Sequence, residues 1–247
     1  DGAGIPVSSL RADAAAETVT LVLREPLAAG RHSLELSWTG ELGKHMKGLY
    51  QSKAEHEGKT ENYAFTHFEP TDARRMFPSF DEPEFKAVFR TTLSGPAKLT
   101  LLSNMPATSE SVKDGVKTVS FAPTPKMSTY LLAVAAGRLV PQTRKVAGVD
   151  VTVWTRPSEA GQAGFALDAA EHALKSLNAY FDLPYKLPKM DLVAVPDFAA
   201  GAMENWGVIF FRDSALLVDP KLTSARAKRA VAETVTHEIV HQWFGNL

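Results

Sequence analysis

The stretch HEIVHQWFGNL, residues 237–247, carries the strongest structural signal in the sequence. His237 and His241 are four residues apart, so on an α-helix their imidazoles project from one face, one turn apart. Both can then bind a single Zn²⁺ ion at about 2.0–2.1 Å. Glu238 is turned by about 100° round the helix, where it can act as general base toward a water that the metal activates. The stretch predicts a metal-binding helix.

The residues before this stretch predict that the helix is long and amphipathic. The segment LTSARAKRAVAETVTHEIVHQWF, at 222–244, has a helical period. One stripe, free to pack against a core, is apolar: Val231, Val235 and Ile239. Thr223 or Ser224 is suited to cap the N-terminus, and Gly245 to end the helix.

Two histidines do not complete a catalytic zinc site. Such a site needs a third protein ligand and leaves one position open for water and substrate. No Glu, Asp or His follows His241 in the chain. The alternative interpretation is that both histidines are ordinary polar residues on the surface of a helix.

A second motif, GAMENWG at residues 201–207, lies between two predicted strands, MDLVAVPDF and GVIFF. Residues 199–202, which lead into and open the motif, are all small. They let another backbone approach closely, as a peptide lying along an edge strand requires. Glu204 places a carboxylate beside that track. The alternative is an ordinary turn with a solvated glutamate.

The first 156 residues have the pattern of an antiparallel, β-rich domain. Residues 18–23 and 33–38 each alternate polar and apolar side chains on either side of the turn PLAAG, which predicts a hairpin. Further runs have strand character: FKAVFRTTLS (85–94), KLTLLSNM (98–105), VKTVSFAP (116–123), TYLLAVAAGRLV (129–140) and VDVTVWTR (149–156).

From Pro157 the apolar period becomes helical, and a domain boundary is predicted near residues 155–159. In the segment 159–184, which Pro184 closes, these residues recur at helical spacing: Leu167, Ala170, Leu174, Leu177 and Phe181. The fold class predicted is α+β, with domains at 1–156 and 157–247.

Composition excludes several classes of function. The chain has 247 residues, 27 Lys+Arg against 28 Asp+Glu, and no cysteine. The balanced charge provides no field for nucleic acid, and thiolate metal sites are impossible. No apolar run is long enough for a membrane helix. The sequence does not indicate a compartment.

Taken together, the motifs resemble those of the zinc aminopeptidases related to aminopeptidase N and puromycin-sensitive aminopeptidase, a group of gluzincin metallopeptidases. Besides the two motifs above, the resemblance includes THFEPTDARRMFPSFDEPEFKAVF at 66–89 and DLVAVPDFAAGAMENWGVIFFRD at 191–213. It extends over essentially the whole chain. It implies that residues 157–247 are the first part of a thermolysin-like catalytic domain.

The resemblance also implies roles for individual residues. His237 and His241 correspond to the first two zinc ligands, and Glu238 to the general base. Glu204 corresponds to the carboxylate that binds the α-ammonium group of the substrate, and Glu69 to a second contact with the N-terminal residue. The other residues expected at the substrate are Gly201, Ala202, Met203 and Asn205. For Met203 a place in the core is an alternative, and for Asn205 a role in holding the loop.

By the same resemblance, the chain is expected to be a fragment truncated at both ends. The N-terminal domain is expected to lack its first strands, and the third zinc ligand, a glutamate, to lie beyond the chain end. An oxyanion-stabilising tyrosine would lie later still. The intact enzyme is expected to bind one zinc ion and to cleave peptides with a free N-terminus. This chain alone is expected to bind zinc weakly or not at all, to be inactive, and to pair with the remainder of the catalytic domain.

Two alternatives remain at this point. A leukotriene-hydrolysing relative, an epoxide hydrolase, shares the scaffold but has Gly-Gly-Met-Glu-Asn, whereas residue 202 here is alanine. The other alternative is a catalytically silent module that binds peptides or proteins. No nucleic-acid partner and no membrane segment are expected.

Overall fold

The computed structural model describes residues 6–246. The first five residues of the predicted N-terminal domain, and Leu247 at the end of the metal-helix stretch, lie outside the described residues. The chain forms two compact units, one ending at Thr39 and the other starting at Gly40. The described elements are mainly antiparallel strands with two α-helices, as the α+β prediction requires.

The first unit contains one antiparallel hairpin, of β1 (Val7–Asp13) and β2 (Thr18–Leu23). Its turn is stabilised by Asp13, whose Oδ1 accepts hydrogen bonds of 3.0 Å from the backbone N–H groups of Ala15 and Ala16. A side chain that binds the backbone two and three residues on favours a tight turn.

This pairing corrects the hairpin predicted between residues 18–23 and 33–38. The second of these segments forms no strand, and its apolar side chains are largely exposed, Leu34 by 60%. The alternating pattern identified β2 correctly. It could not show that the short turn after Asp13 provides a nearer partner strand.

The second unit contains the remaining described strands and both helices. Its strands in chain order are β3 (Gly48–His56), β4 (Lys59–His67), β5 (Thr92–Pro96), β6 (Thr100–Ser103), β7 (Ala107–Lys113), β8 (Val116–Phe121), β9 (Val134–Gly137), β10 (Val140–Val146), β11 (Val149–Thr155), β12 (Lys189–Val195), β13 (Ala202–Met203) and β14 (Val208–Arg212). Two sheets are antiparallel throughout, with orders β3-β4-β9-β6 and β5-β8-β7.

The third sheet is mixed and carries the site described below. Its order is β10-β11-β12-β14-β13, with β12 parallel to both β11 and β14. The strands β10 and β11 precede the domain boundary predicted near residues 155–159, and the other three follow it. One sheet therefore spans the predicted boundary, and the division into domains at residues 1–156 and 157–247 stays a prediction.

The two helices, α1 (Gly164–Tyr180) and α2 (Ala225–Val240), pack against each other. The apolar stripes predicted from the sequence provide their buried faces: Leu167, Ala170 and Leu174 on α1, and Val231, Val235 and Ile239 on α2. Neither described helix is long and apolar enough to cross a membrane.

All five predicted runs contain a strand, but the strands are shorter than the runs, most clearly in two of them. The run at 85–94 is a strand only from Thr92, although Ala87 forms an isolated bridge with Met127. The run at 129–140 opens with a 3₁₀ turn, Thr129–Leu131, before β9.

The start of α2 allows a test of its stability. Ser224 is the N-cap, and its Oγ accepts a hydrogen bond of 3.2 Å from the Ala227 N–H. We expect Ser224→Ala to lower the free energy of unfolding by about 1 kcal/mol, because a helix-terminal N–H loses its partner. Urea denaturation followed by circular dichroism measures this change. Thr223→Ala is the matched control, and an equal loss in both variants would contradict the capping role.

Candidate active site

The end of α2 brings the two predicted metal ligands together. The Nε2 atoms of His237 and His241 lie 3.1 Å apart, and the ring centroids are separated by 4.7 Å. Two nitrogen ligands of one tetrahedral zinc ion, each at its usual bond length, are about 3.4 Å apart. The donor pair therefore fits a zinc ion with little movement.

The turn that follows α2 orients the second histidine. His241 is the C-cap residue, so the helix ends four residues before Gly245, where the sequence predicted the end. Gly245, with φ of 133°, lets the chain turn back, and Nδ1 of His241 lies 3.2 Å from the carbonyl oxygen of Phe244. A carbonyl partner at Nδ1 leaves Nε2 free to bind a metal, the usual arrangement for a histidine ligand.

The same end of α2 is anchored to the rest of the unit. Trp243 is buried, and its Nε1 donates a hydrogen bond of 2.8 Å to the carbonyl oxygen of Leu183, just beyond α1. The Trp243 ring also stacks on Phe181, with centroids 5.9 Å apart. These contacts fix the turn that orients His241.

Glu238 points away from solvent, between the two predicted ligands in sequence. Its side chain is 6% exposed, and its Oε2 has no hydrogen-bond partner among the described residues. Burial, together with the nearby charges of Glu204 and Glu69, raises the pKa of the Glu238 carboxyl to about 8. A buried carboxyl beside two others is suited to take and give protons.

Glu204 lies close to Glu238 and His241, although it is far from both in the sequence. The ligand atoms of Glu204, Glu238 and His241 all lie within 4.8 Å of one another. The residues just before Glu204 form β13, the edge strand of the mixed sheet. The structure therefore places an edge strand directly beside the candidate metal helix.

The remaining residues of the GAMENWG motif divide into accessible and buried ones. Gly201 is exposed, and a side chain there would meet nothing within 4 Å. Ala202 is partly exposed, whereas the side chains of Met203 and Asn205 are 1% and 0% exposed. The geometry thus favours the core position for Met203 and leaves only its backbone for a substrate contact.

The side chain of Asn205 is buried, where it holds the loop in place rather than facing solvent. Its Nδ2 donates hydrogen bonds to the carbonyl oxygens of Tyr130, at 3.2 Å, and Leu132, at 3.5 Å. A contact between the Asn205 side chain and a substrate, expected from the sequence, does not fit this burial. The bonds attach the motif to the segment that leads into β9.

Glu69 and Tyr130 complete the polar surroundings of the site. Glu69 is exposed and follows the end of β4 by two residues. Burial raises the pKa of the Tyr130 phenol, and the carboxylates of Glu204 and Glu69 raise it further. Tyr130 was not identified from the sequence, because no local pattern connects residue 130 with residues 69 and 204.

Tyr130 is held in place by the segment FDEP. Asp81 is buried, and its Oδ1 accepts a hydrogen bond of 2.6 Å from Thr129 Oγ1. Its Oδ2 accepts bonds from the backbone N–H of Arg74, at 2.9 Å, and from Arg74 Nε, at 3.2 Å. This carboxylate therefore connects the segment after Glu69 to the turn that carries Tyr130.

The loop before β13 is fixed from both sides. The carboxylate of Asp197 accepts a bond of 3.0 Å from Ser52 Oγ, and its carbonyl oxygen accepts one of 2.8 Å from Tyr50. From the other side, Arg212 donates to the carbonyl oxygens of Phe198 and Ala199. The loop that leads to the edge strand β13 is thus held in one conformation by these hydrogen bonds.

Comparison with known proteins identifies the family of the chain. Residues 2–131 match the Peptidase M1 N-terminal domain, and residues 165–247 match the Peptidase family M1 domain. The chain belongs to peptidase family M1. The family match confirms the resemblance deduced from the two motifs.

Several M1 peptidases are similar over almost the whole chain. Aminopeptidase M1-B from Oryza sativa subsp. japonica is 47% identical over 232 residues, which are 94% of this chain and 26% of the relative. Puromycin-sensitive aminopeptidase from Caenorhabditis elegans is 45% identical over 235 residues, 93% of this chain and 25% of the relative. Aminopeptidase N from Acetobacter pasteurianus is 41% identical over 244 residues, 97% of this chain and 68% of that protein. The chain thus spans about a quarter of the length of the rice relative.

Proposed function

We propose that this chain is part of a zinc-dependent aminopeptidase that removes the N-terminal residue from peptides. The observation that supports this most directly is the position of Glu204. Its carboxylate lies beside an edge strand and within 4.8 Å of the ligand atoms of both Glu238 and His241. An anchor for a substrate ammonium group so close to the reacting groups restricts cleavage to the first peptide bond.

His237 and His241 would hold the zinc ion through their Nε2 atoms. We propose that the third ligand is a glutamate from residues that follow position 247, as the resemblance implies. A bound zinc ion would supply polarisation of the scissile carbonyl and a lowered pKa for the attacking water. Zinc is supported by the pair of convergent imidazoles and by the carbonyl partner of His241.

Glu238 would transfer the proton. In this proposal Oε2, which is buried and without a partner among the described residues, takes a proton from the attacking water. The same oxygen then delivers a proton to the leaving amine, as general acid. Its position on the turn between the two imidazoles keeps it beside the reacting carbonyl.

Glu204 and Glu69 would bind the substrate's α-ammonium group. Charge-assisted hydrogen bonds between carboxylates and an ammonium group are short and about twice as strong as neutral ones. The backbone of β13 would align the peptide, because an edge strand offers unpaired N–H and C=O groups. Tyr130, whose phenol feels the charges of both carboxylates, would line the same side of the substrate-binding site.

The test uses a panel of aminoacyl p-nitroanilides with two proteins. One is the 247-residue chain, and the other is the chain continued by the residues that follow it in its gene. Zinc-dependent hydrolysis of free-amine substrates by the continued chain is the expected result. Peptide binding without hydrolysis would favour the silent module. Hydrolysis of an epoxide fatty acid in preference to every aminoacyl substrate would favour an epoxide hydrolase.

Zinc binding provides a separate prediction. We expect the 247-residue chain to bind zinc at least about 100-fold more weakly than the continued chain, because a carboxylate ligand is missing. Competition with a chromophoric chelator measures both affinities, and His241→Ala is the control for binding at this site. Stoichiometric, tightly bound zinc in the shorter chain would contradict the prediction. If that zinc were lost in Glu204→Gln, Glu204 itself would be a ligand.

A further inference from the structure

Two buried amide side chains connect the metal-binding segment to the GAMENWG motif. Gln242 and Asn246 follow the second histidine and are 2% and 1% exposed. Both donate a hydrogen bond to the same acceptor, the backbone carbonyl oxygen of Glu204. The Nε2 of Gln242 lies 3.2 Å from this oxygen, and the Nδ2 of Asn246 lies 2.9 Å from it.

Gln242 also binds the residues on either side of the site. Its Nε2 lies 3.3 Å from the carbonyl oxygen of Glu238, and its Oε1 accepts a bond of 3.4 Å from the Gly207 N–H. One amide group thus contacts the backbone of the proposed base, of the proposed anchor, and of the end of the motif.

The motif is fixed equally firmly on its far side. Gly207 has φ of 88°, and a Cβ there would lie 2.4 Å from the carbonyl oxygen of Asn104. That asparagine donates a bond of 2.9 Å to the carbonyl oxygen of Trp206. Asn205 is bonded to Tyr130, as described above. On the side that faces α2, the motif is bonded to the amides of Gln242 and Asn246.

We propose that Gln242 and Asn246 are positioning residues that set the distance between the ammonium anchor Glu204 and the proposed base Glu238. This inference rests on the proposed aminopeptidase function. Neither side chain touches the substrate. Both act by holding the backbone of residue 204, so that a bound α-amine places only the first peptide bond at the base. A misplacement of 1 Å at such a site costs on the order of 100-fold in rate.

The experiment compares Gln242→Met, Asn246→Leu and the double variant in the continued, zinc-loaded chain. Each single variant keeps one donor to the Glu204 carbonyl, so the fold is retained and thermal unfolding verifies it. The substrates are an aminoacyl p-nitroanilide and its desamino analogue, which has the same side chain but no α-amine. Thr100→Val is the control, because it removes a side-chain donor bond of 3.0 Å to a backbone carbonyl, that of Leu139, outside the motif and the metal-binding segment.

For the free-amine substrate we expect KM to rise about 10-fold in each single variant and about 100-fold or more in the double variant. The KM for the desamino analogue should rise far less, so the preference of the enzyme for a free amine falls. In the control, any loss should be the same for both substrates. Equal losses for both substrates in the Gln242 and Asn246 variants would overturn the inference and leave the proposed function standing. A wild-type protein that hydrolyses neither substrate would overturn both.

Discussion

Replacing Glu238 with glutamine is expected to lower kcat by about 10²–10⁴-fold in the zinc-loaded, continued chain, with zinc content unchanged. The amide has nearly the same shape but cannot accept a proton from water. Because Glu238 lies between two histidines and is 6% exposed, no other described side chain can take over its position at Oε2. Hydrolysis of an aminoacyl p-nitroanilide, normalised to bound zinc, measures the effect.

The matched control for this change is Glu233→Gln. Glu233 lies five residues earlier on α2 and is exposed, so the substitution alters the same helix and the same charge without entering the site. Its activity should equal that of the wild type. An active Glu238→Gln enzyme with full zinc content would exclude the proposed base.

The second large effect is expected for Glu204→Gln. A carboxylate that binds an ammonium group contributes a charge-assisted hydrogen bond, and its loss should lower kcat/KM for free N-termini by about 10–100-fold. Nα-acetylated peptides have no ammonium group, so their slow cleavage should hardly change. The ratio of the two kcat/KM values therefore measures the anchor role directly.

Glu69→Gln provides a graded comparison for the Glu204 variant. Glu69 is exposed, whereas Glu204 is partly buried, so solvent screens the interaction of Glu69 with the ammonium group more strongly. We expect a smaller loss of preference for the free amine. If Glu204→Gln reduced the cleavage of free and acetylated peptides equally, its role would be general rather than specific to the amine.

Much of the site could be predicted because its signals are local. The helical period of α2 predicted the shared face of His237 and His241 and the buried stripe opposite, and the pair Thr223 and Ser224 predicted its start. The position of Glu204 beside the helix came from family resemblance, since no periodicity connects residues 34 positions apart in the chain. Its role at the substrate stays a prediction.

Contacts between distant segments could not be predicted. The β1–β2 pairing depends on the turn after Asp13, which competes with the turn PLAAG. Tyr130 is held near the site by the bond from Asn205 to its carbonyl oxygen and by the bond from its neighbour Thr129 to Asp81. Gln242 and Asn246 lie within the stretch HEIVHQWFGNL, yet an amide side chain in a sequence does not show which acceptor it will bind. Only folding shows that both amides meet at one carbonyl oxygen.

The mixed sheet has a mechanical consequence. Strand β11, which precedes the predicted boundary, is hydrogen-bonded alongside β12, and β12 leads into the loop that precedes the edge strand β13. Loosening the β10–β11 ladder would therefore be transmitted to the loop before β13. Strands from both sides of the predicted boundary share one hydrogen-bonded sheet, so the segment before residue 155 helps to support the loop before β13.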